Sequence, residues 1–290
     1  METAYIEVQG QHGLAMPWEE VIVMPVGDVQ LGGGGVDLER FKRTIAWGLE
    51  HNAMFIGMGD YVDVASPSNR QTLKSAKLYD SIHSALNEAA EDMQNRFLKL
   101  VKGTEGRWLG LLEGHHYFDY EDGTTTDTRI AKALGAPFLG TCAFVRLSFK
   151  HPGGESSAAC TIWCHHGSGN GVVAHSPLNK LYHVMHTFEA DIYIIGHQTK
   201  KPAVKVPRLY MTSRPPYSIA SKDKILAGTG GYSLGYEWQS KTPNGAKAEG
   251  SYVEKGMMTP VSLGGITIRI KPTMKGKKAH NAGLEMSVEL

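Results

Sequence analysis

The sequence predicts an α/β fold, on two observations. Over the first two-thirds of the 290 residues, short apolar runs that read as buried strands alternate with stretches patterned as amphipathic helices. The last third changes character: PAVKVPRLYMTS, KDKILAGTGGY and VSLGGITIRIKP carry strand signals punctuated by Gly and Pro, with no convincing helix, as a second or closing sheet would. The expectation is a single domain over residues 1–290, with an N-terminal extension at 1–20, a β-rich closing portion at 200–272 and a C-terminal tail at 273–290. The basic, polar segment KPTMKGKKAHNAG that leads into the tail reads as a solvated loop.

Each element has its own signal. VIVMPVGD (21–28) is a continuous apolar run rich in β-branched residues, a buried strand. After the loop VQLGGGGVD, Leu38, Phe41, Ile45 and Leu49 form one helical stripe. Asp37 is placed to cap that helix, and Glu39 puts negative charge in its first turn. AMFIGMGD (53–60) is a second buried strand. A long amphipathic helix is expected from about Gln71 to Lys102, and WLGLLEGHH (108–116) is the third strand. A helix around Thr126–Leu134 leads to the strands CAFVRLSFK and AACTIWCHHG (158–167). SPLNKLYHVMHTFEA (176–190) reads as a helix capped by Ser176, and DIYIIGH (191–197) as another buried strand.

The composition, 41% hydrophobic and 20% charged, is that of an ordinary soluble globular chain. A net charge of +1 gives no strong whole-protein field for nucleic acid or anionic membrane, although it leaves room for a local basic patch. METAYIEVQGQHG lacks a basic region followed by an apolar one, so no secretory leader is expected, and no apolar run approaches the ~18–20 residues that span a bilayer. Three cysteines, Cys142, Cys160 and Cys164, argue for reduced thiols and a cytoplasmic setting. Cys164 beside His165 is conceivable as a soft metal ligand, but a buried strand thiol is the simpler reading.

The chemistry gathers where the strands end. The first finishes in Gly27-Asp28-Val29-Gln30, the second in Gly59-Asp60-Tyr61-Val62-Asp63 and the third in Gly114-His115-His116. Two later ones finish in His165-His166-Gly167 and in Gly196-His197-Gln198-Thr199. Five apolar strands thus each deliver Asp or His beside a glycine, at the end where α/β sheets open into a crevice. Carboxylate plus imidazole is the ligand set for Zn, Mn or Fe rather than Ca.

In this order, the motifs resemble those of the calcineurin-like metallophosphoesterase superfamily: D-x-H, GD-x-x-D, GNH-D/E, a later H, and GH-x-H. The resemblance spans residues 21–199, and AGTGGYSLGYE further on looks like the phage and prophage branch. It implies a four-layer α/β/β/α sandwich with mixed sheets. It also implies a dinuclear site of two divalent ions (Mn, Zn, Fe or Mg) in which a metal-bound hydroxide attacks a phosphate ester. By the resemblance, Asp28, Gln30, Asp60, His115, His166 and His197 stand at metal-ligand positions and His116 at that of the catalytic histidine. Asp63 stands at an orienting position.

The departures are specific. Gln30 and Thr199 stand where the family has histidines, both serving the first metal, so that site is expected to be weak. His115 replaces an asparagine and adds an imidazole to the second site. Tyr117 stands where the catalytic histidine's acidic partner is found, with Glu113 and Asp119 as substitutes nearby. His165 competes with His166 as ligand, and strand alternation lets only one of them face the site; the histidine before glycine, His166, is preferred.

Other readings are weaker. Gly32–Gly35 and Gly167-Ser168-Gly169-Asn170-Gly171 do not fit a dinucleotide-binding G-x-G-x-x-G. His83, His151, His175, His183 and His186 read as solvated or packed. Lys200, Lys201, Lys205 and Arg208 fit a charged β-edge or a phosphate-binding rim equally well. Two functions follow: a phosphoesterase, more a phosphodiesterase than a monoesterase, with nucleic acid or nucleotide among its conceivable substrates and hence a nuclease reading; or a single-metal, weakly catalytic or non-catalytic protein that binds a phosphorylated ligand or partner.

Overall fold

The apolar runs become strands. In chain order the elements are β1 (Leu14–Met16), β2 (Val21–Val26), α1 (Leu38–Glu50), β3 (Met54–Gly57), α2 (Pro67–Ser75), α3 (Asp80–Leu100), β4 (Trp108–Leu112), α4 (Thr126–Ala133) and β5 (Phe138–Gly140). There follow β6 (Cys142–Lys150), β7 (Ser157–His165), α5 (Ser176–Thr187), β8 (Ile192–Ile195), β9 (Ala203–Met211), β10 (Ile219–Gly228), α6 (Tyr252–Lys255), β11 (Thr267–Met274) and β12 (Ala282–Glu289). The structure is a computed structural model that describes residues 14–76, 79–153, 157–169, 171–213, 215–236, 244–245, 251–274 and 282–290.

The strands form two mixed six-stranded sheets, ordered β12-β11-β2-β3-β4-β5 and β1-β6-β7-β8-β10-β9. In the first, β2, β3, β4 and β5 run parallel while β11 is antiparallel to both β2 and β12. In the second, β7, β8 and β10 run parallel, flanked by antiparallel β6 and β9. Val23, Ile56 and Leu112 of the first sheet share one buried core with Leu147, Ile162, Ile194 and Ile225 of the second. Each such side chain contributes about 1.5–3 kcal/mol when fully buried. Phe41 and Ile45 of α1, Phe97 of α3 and Ile130 of α4 pack in a second cluster with Met24 and Phe55. Leu181 and Met185 of α5 pack with Trp163 and Tyr193 in a third. The chain is therefore α/β, with two facing sheets and helices packed beside them.

Local differences from the sequence reading have local causes. The single helix expected over about 71–102 is two helices. Ser66 Oγ accepts from Asn69 N at 3.3 Å and Pro67 follows it, so α2 starts upstream of Gln71, and Ala76 is extended (φ −75°, ψ 132°). The cap of α1 is Asp37, as expected: its carboxylate accepts from Arg40 N at 2.9 Å. At α5 the capping position is His175 rather than Ser176, whose hydroxyl turns back to Val173 O at 2.8 Å. The last third also carries one short helix, α6.

The tail is not wholly a solvated loop. Residues 282–289 form β12, paired antiparallel with β11 from Met274↔Ala282 to Thr267↔Glu289, and Leu284, Met286 and Val288 pack on the shared core. Residues 275–281 of that tail and residues 1–13 of the N-terminal extension lie outside the described residues. Leu14–Met16 joins the second sheet parallel to β6. Among the described residues no helix is long and apolar enough to cross a membrane.

Candidate metal centre

Strand ends from both sheets meet at one place. β2 leads to Asp28, β3 to Asp60, β4 to His115 and His116, β7 to His166 and β8 to His197. Asp28 (φ 49°), Gln30 (φ 49°), Asp60 (φ 54°), His197 (φ 66°) and Thr199 (φ 52°) all hold the left-handed conformation that L-residues avoid. Such strain persists only where the surroundings fix it, and it clusters at functional sites. Backbone bonds fix it here: Asp28 N donates to Gly59 O at 3.0 Å, Gln30 N to Asp60 O at 2.9 Å and Tyr232 N to Asp28 O at 3.1 Å. Gly114 has no room for a side chain, because a Cβ there would collide with Asp60 N and Oδ1. This close approach lets the His115 and His116 amides both donate to Asp60 Oδ1, the second at 3.0 Å.

Two groups of donor atoms result, each within 4.8 Å: Asp28, Asp60 and His166 in one, and His115, His166 and His197 in the other. The rings of His115 and His166 lie 4.6 Å apart between centroids, as do those of His115 and His197. His166 Nδ1 bonds Met58 O at 2.6 Å, which requires a proton on Nδ1, so that the neutral ring presents the Nε2 lone pair, 3.4 Å from Asp60 Oδ2. Three buried atoms, Asp28 Oδ1, Asp60 Oδ2 and His166 Nε2, have no hydrogen-bond partner. Buried polar atoms are rarely left in this way, and two carboxylate oxygens and an imidazole nitrogen converging in one place ask for a cation, a metal ion or a proton on the ring. The donors, imidazole and carboxylate, suit a divalent transition ion. The residues present therefore fit a metal ion.

The electrostatics carry the same imbalance. Burial pushes the Asp28 carboxyl up, against the opposing pull of His166. Burial also opposes ionisation of Asp60, but the close His166 and His116 rings and the bond from the His115 amide outweigh it and hold Asp60 below the usual range. His166 is drawn up to about 9, since the neighbouring Asp60 and Asp28 overcome the effect of burial. His197 is driven down to about 4 by burial and by the charges of His166 and His115. A proton on this cluster stands where a cation would balance it.

His116 has a partner, and it is neither Tyr117, Glu113 nor Asp119. Its Nδ1 meets Asp63 Oδ1 at 2.8 Å, and chiefly this bond raises its pKa above the ordinary value. Nε2 is left facing the centre, 4.0 Å from Asp60 Oδ2. Asp119 lies against Arg70, 3.7 Å from Nε, and burial raises the Glu113 carboxyl. Asp63 is thus the carboxylate that the His116 ring meets.

No family model fits the chain, and no curated protein aligns with it.

The remaining candidates fall as follows. Gln30 Oε1 accepts from Ser233 Oγ at 2.9 Å, and Thr199 Oγ1 donates to Gln198 O at 2.8 Å. His165 stacks on Trp163 and its Nδ1 accepts from Gly167 N at 2.7 Å, while His166 is the member of the pair in both donor groups. Cys164 is a buried thiol that reaches Ala143 O at 3.5 Å. Asn170 of the glycine-rich stretch lies outside the described residues.

Three supporting residues escape sequence reasoning. Asp127, buried at the start of α4, accepts from Gly114 N at 2.9 Å. Arg70 of α2 donates through one nitrogen to the carbonyls of Ala65 (2.7 Å), His115 and Tyr117 (3.1 Å), and stacks 3.8 Å over the Tyr117 ring. Ser233 holds Gln30. None carries a motif; only Ser233, inside AGTGGYSLGYE, lies in a stretch the resemblance had marked.

Proposed function

We propose that the protein is a metal-dependent phosphoesterase, more a phosphodiesterase than a monoesterase, built as a four-layer α/β/β/α metallophosphoesterase sandwich. The observation that carries this is the pairing of two things at one place. One is the set of unpartnered buried acceptors on Asp28, Asp60 and His166, with His115 and His197 beside them. The other is His116, held by Asp63 with its second ring nitrogen turned inward.

Divalent ions held by Asp28, Asp60, His115, His166 and His197 would supply water activation and neutralisation of phosphate charge. The chain supplies the rest. The Asp63 carboxylate accepts from His116 Nδ1–H and fixes the ring, so that Nε2 can carry a proton toward the leaving oxygen. The Nδ1 bond to Met58 O fixes the tautomer of His166.

A second reading has an observation of its own. Gln30 Oε1 already accepts from Ser233 Oγ, Thr199 Oγ1 already donates to Gln198 O, and amide and hydroxyl oxygens are poor donors to a transition ion, which favours one ion and a protein that binds a phosphorylated ligand without turning it over. Elemental analysis together with turnover of a nitrophenyl phosphodiester in added Mn separates the two. Mn-dependent turnover, slowed ~10²–10⁴-fold in His116→Ala with metal retained, supports the enzyme. One metal and no turnover on mono- or diesters refutes it.

A further inference from the structure

Away from the donor groups, α1 and the segment leading into β11 enclose a cleft of about 410 Å³. Arg40, Arg43 and Lys201 line it, together with Thr44, Trp47 and the backbone around Gly264. Gly264, at φ +104°, lies between the two: Arg40 Cδ and Lys201 Nζ both come within 4 Å of the place a Cβ would take there, so both cationic side chains converge on this backbone. Arg40 is balanced in part by Asp37, at 3.1 Å. Arg43 and Lys201 make no hydrogen bond or ion pair among the described residues. The one acidic side chain on the wall, Glu289, is already held by Arg269 Nε at 2.8 Å. Beneath the floor the buried Tyr232 hydroxyl, beside Thr44 and Arg40, lacks a hydrogen-bond partner of good geometry.

Like charges gathered in a concave place repel unless an anion joins them. Burial and the adjacent Arg40 charge lower the pKa of Lys201. The guanidinium forks of two arginines match the oxygens of a phosphate group, and the cleft falls within the ~300–1,000 Å³ of small-ligand sites. The rest of the basic patch does not share the arrangement: Lys200 is buried with its ammonium on Gly171 O, and Lys205 and Arg208 lie on the edge strand β9.

We propose that this cleft is an anion site for a phosphate or diphosphate group, held by Arg40, Arg43 and Lys201. The group belongs either to a small molecule such as a nucleotide or to a nucleic-acid backbone. The site is separate from the metal centre and stands whether or not the phosphoesterase reading does.

The test is calorimetric titration of the full chain, kept in EDTA, with inorganic pyrophosphate and in parallel with a single-stranded oligonucleotide. Arg43→Gln, at an exposed position, and Lys201→Gln, at a half-buried one, each checked for fold by circular dichroism, are compared with His166→Ala. Saturable pyrophosphate binding that weakens at least tenfold in each cleft variant and persists in His166→Ala supports the site and a small-molecule source. Oligonucleotide binding with the same residue dependence and a steep loss with salt supports the site and a backbone source. No binding of either probe at millimolar concentration overturns the proposal. So does binding unchanged in both cleft variants, or binding lost only in His166→Ala, which would place the anion at the metal centre.

Discussion

His116 Nδ1 and Asp63 Oδ1 meet at 2.8 Å, across the turn that follows β3 and the one that follows β4. The carboxylate fixes the ring, and the ring's other nitrogen faces the donor groups. Asp63→Asn keeps the shape and removes the charge. Turnover of a phosphodiester with a poor leaving group is expected to fall ~10–100-fold, the usual worth of such a supporting partner. The loss should be smaller for a nitrophenyl ester, whose leaving group needs no proton. Metal content should stay at the native level; if it falls along with turnover on both esters, Asp63 is a ligand and not an orienter.

Asp28 gives a prediction of opposite sign with and without metal. Its carboxylate is fully buried and one oxygen is unpartnered, so without a cation it favours the neutral form, with its pKa pushed up from 3.8 to about 7 by burial. A carboxyl whose folded pKa is raised contributes stability at low pH and loses it as pH rises through that interval. The metal-free protein should therefore lose stability between about pH 4 and pH 7, and Asp28→Asn should flatten this slope. Added Mn should raise the melting temperature of the native chain, and Asp28→Asn should lack most of that rise. Thermal melts across pH, in EDTA and in Mn, check both halves. A native chain whose melting temperature ignores Mn at every pH would remove the metal centre.

Arg70 joins α2 to the loop of His115, His116 and Tyr117 by two carbonyl contacts and a ring stack, with a third carbonyl bond to Ala65 just before α2. Lysine has a charge but no planar fork, and cannot satisfy this set. Arg70→Lys should therefore behave nearly as Arg70→Ala, with weaker metal binding and slower turnover, about tenfold or more in each. A metal titration of both variants checks it, with circular dichroism to confirm the fold. Full function in Arg70→Lys would mean that charge alone, through Asp119, does the positioning.

Much of this was legible in the sequence because strand ends announce themselves. Gly27-Asp28, Gly59-Asp60, Gly114-His115-His116, His166-Gly167 and Gly196-His197 each follow an apolar run, and the two sheets bring these ends together. Glycine's place at Gly114 was readable as a type of position, though the collision that requires it, with Asp60, is a contact across 54 residues. The partner of His116 was misjudged because proximity in sequence pointed to Tyr117, Glu113 and Asp119, whereas the contact is made from 53 residues away. Asp127 and Arg70 were illegible for the same reason: their partners are backbone atoms of other segments, which no side-chain pattern encodes. The strand β12 was missed because polar and basic residues precede it, and its pairing with β11 supplies the pattern that its own composition lacks.

Gln30 decides between one ion and two. Its amide oxygen already accepts from Ser233 Oγ at 2.9 Å, so as a ligand it would have only its second lone pair to give. If the first site is loose for this reason, Gln30→Ala should barely change metal content, whereas His115→Ala should lower it clearly, because His115 offers an imidazole within one of the donor groups and Gln30 only an amide oxygen. Gln30→His should tighten the Mn dependence of turnover, since imidazole is the better donor to a transition ion and no longer needs an oxygen freed from Ser233. Ser233→Ala should shift the same dependence in the same direction but less, by freeing the amide oxygen. Elemental analysis after dialysis and turnover against Mn concentration measure both effects. A native chain that keeps two ions through dialysis and needs no added Mn would show that the first site is complete as it stands, with Gln30 and Ser233 acting elsewhere than on the metal.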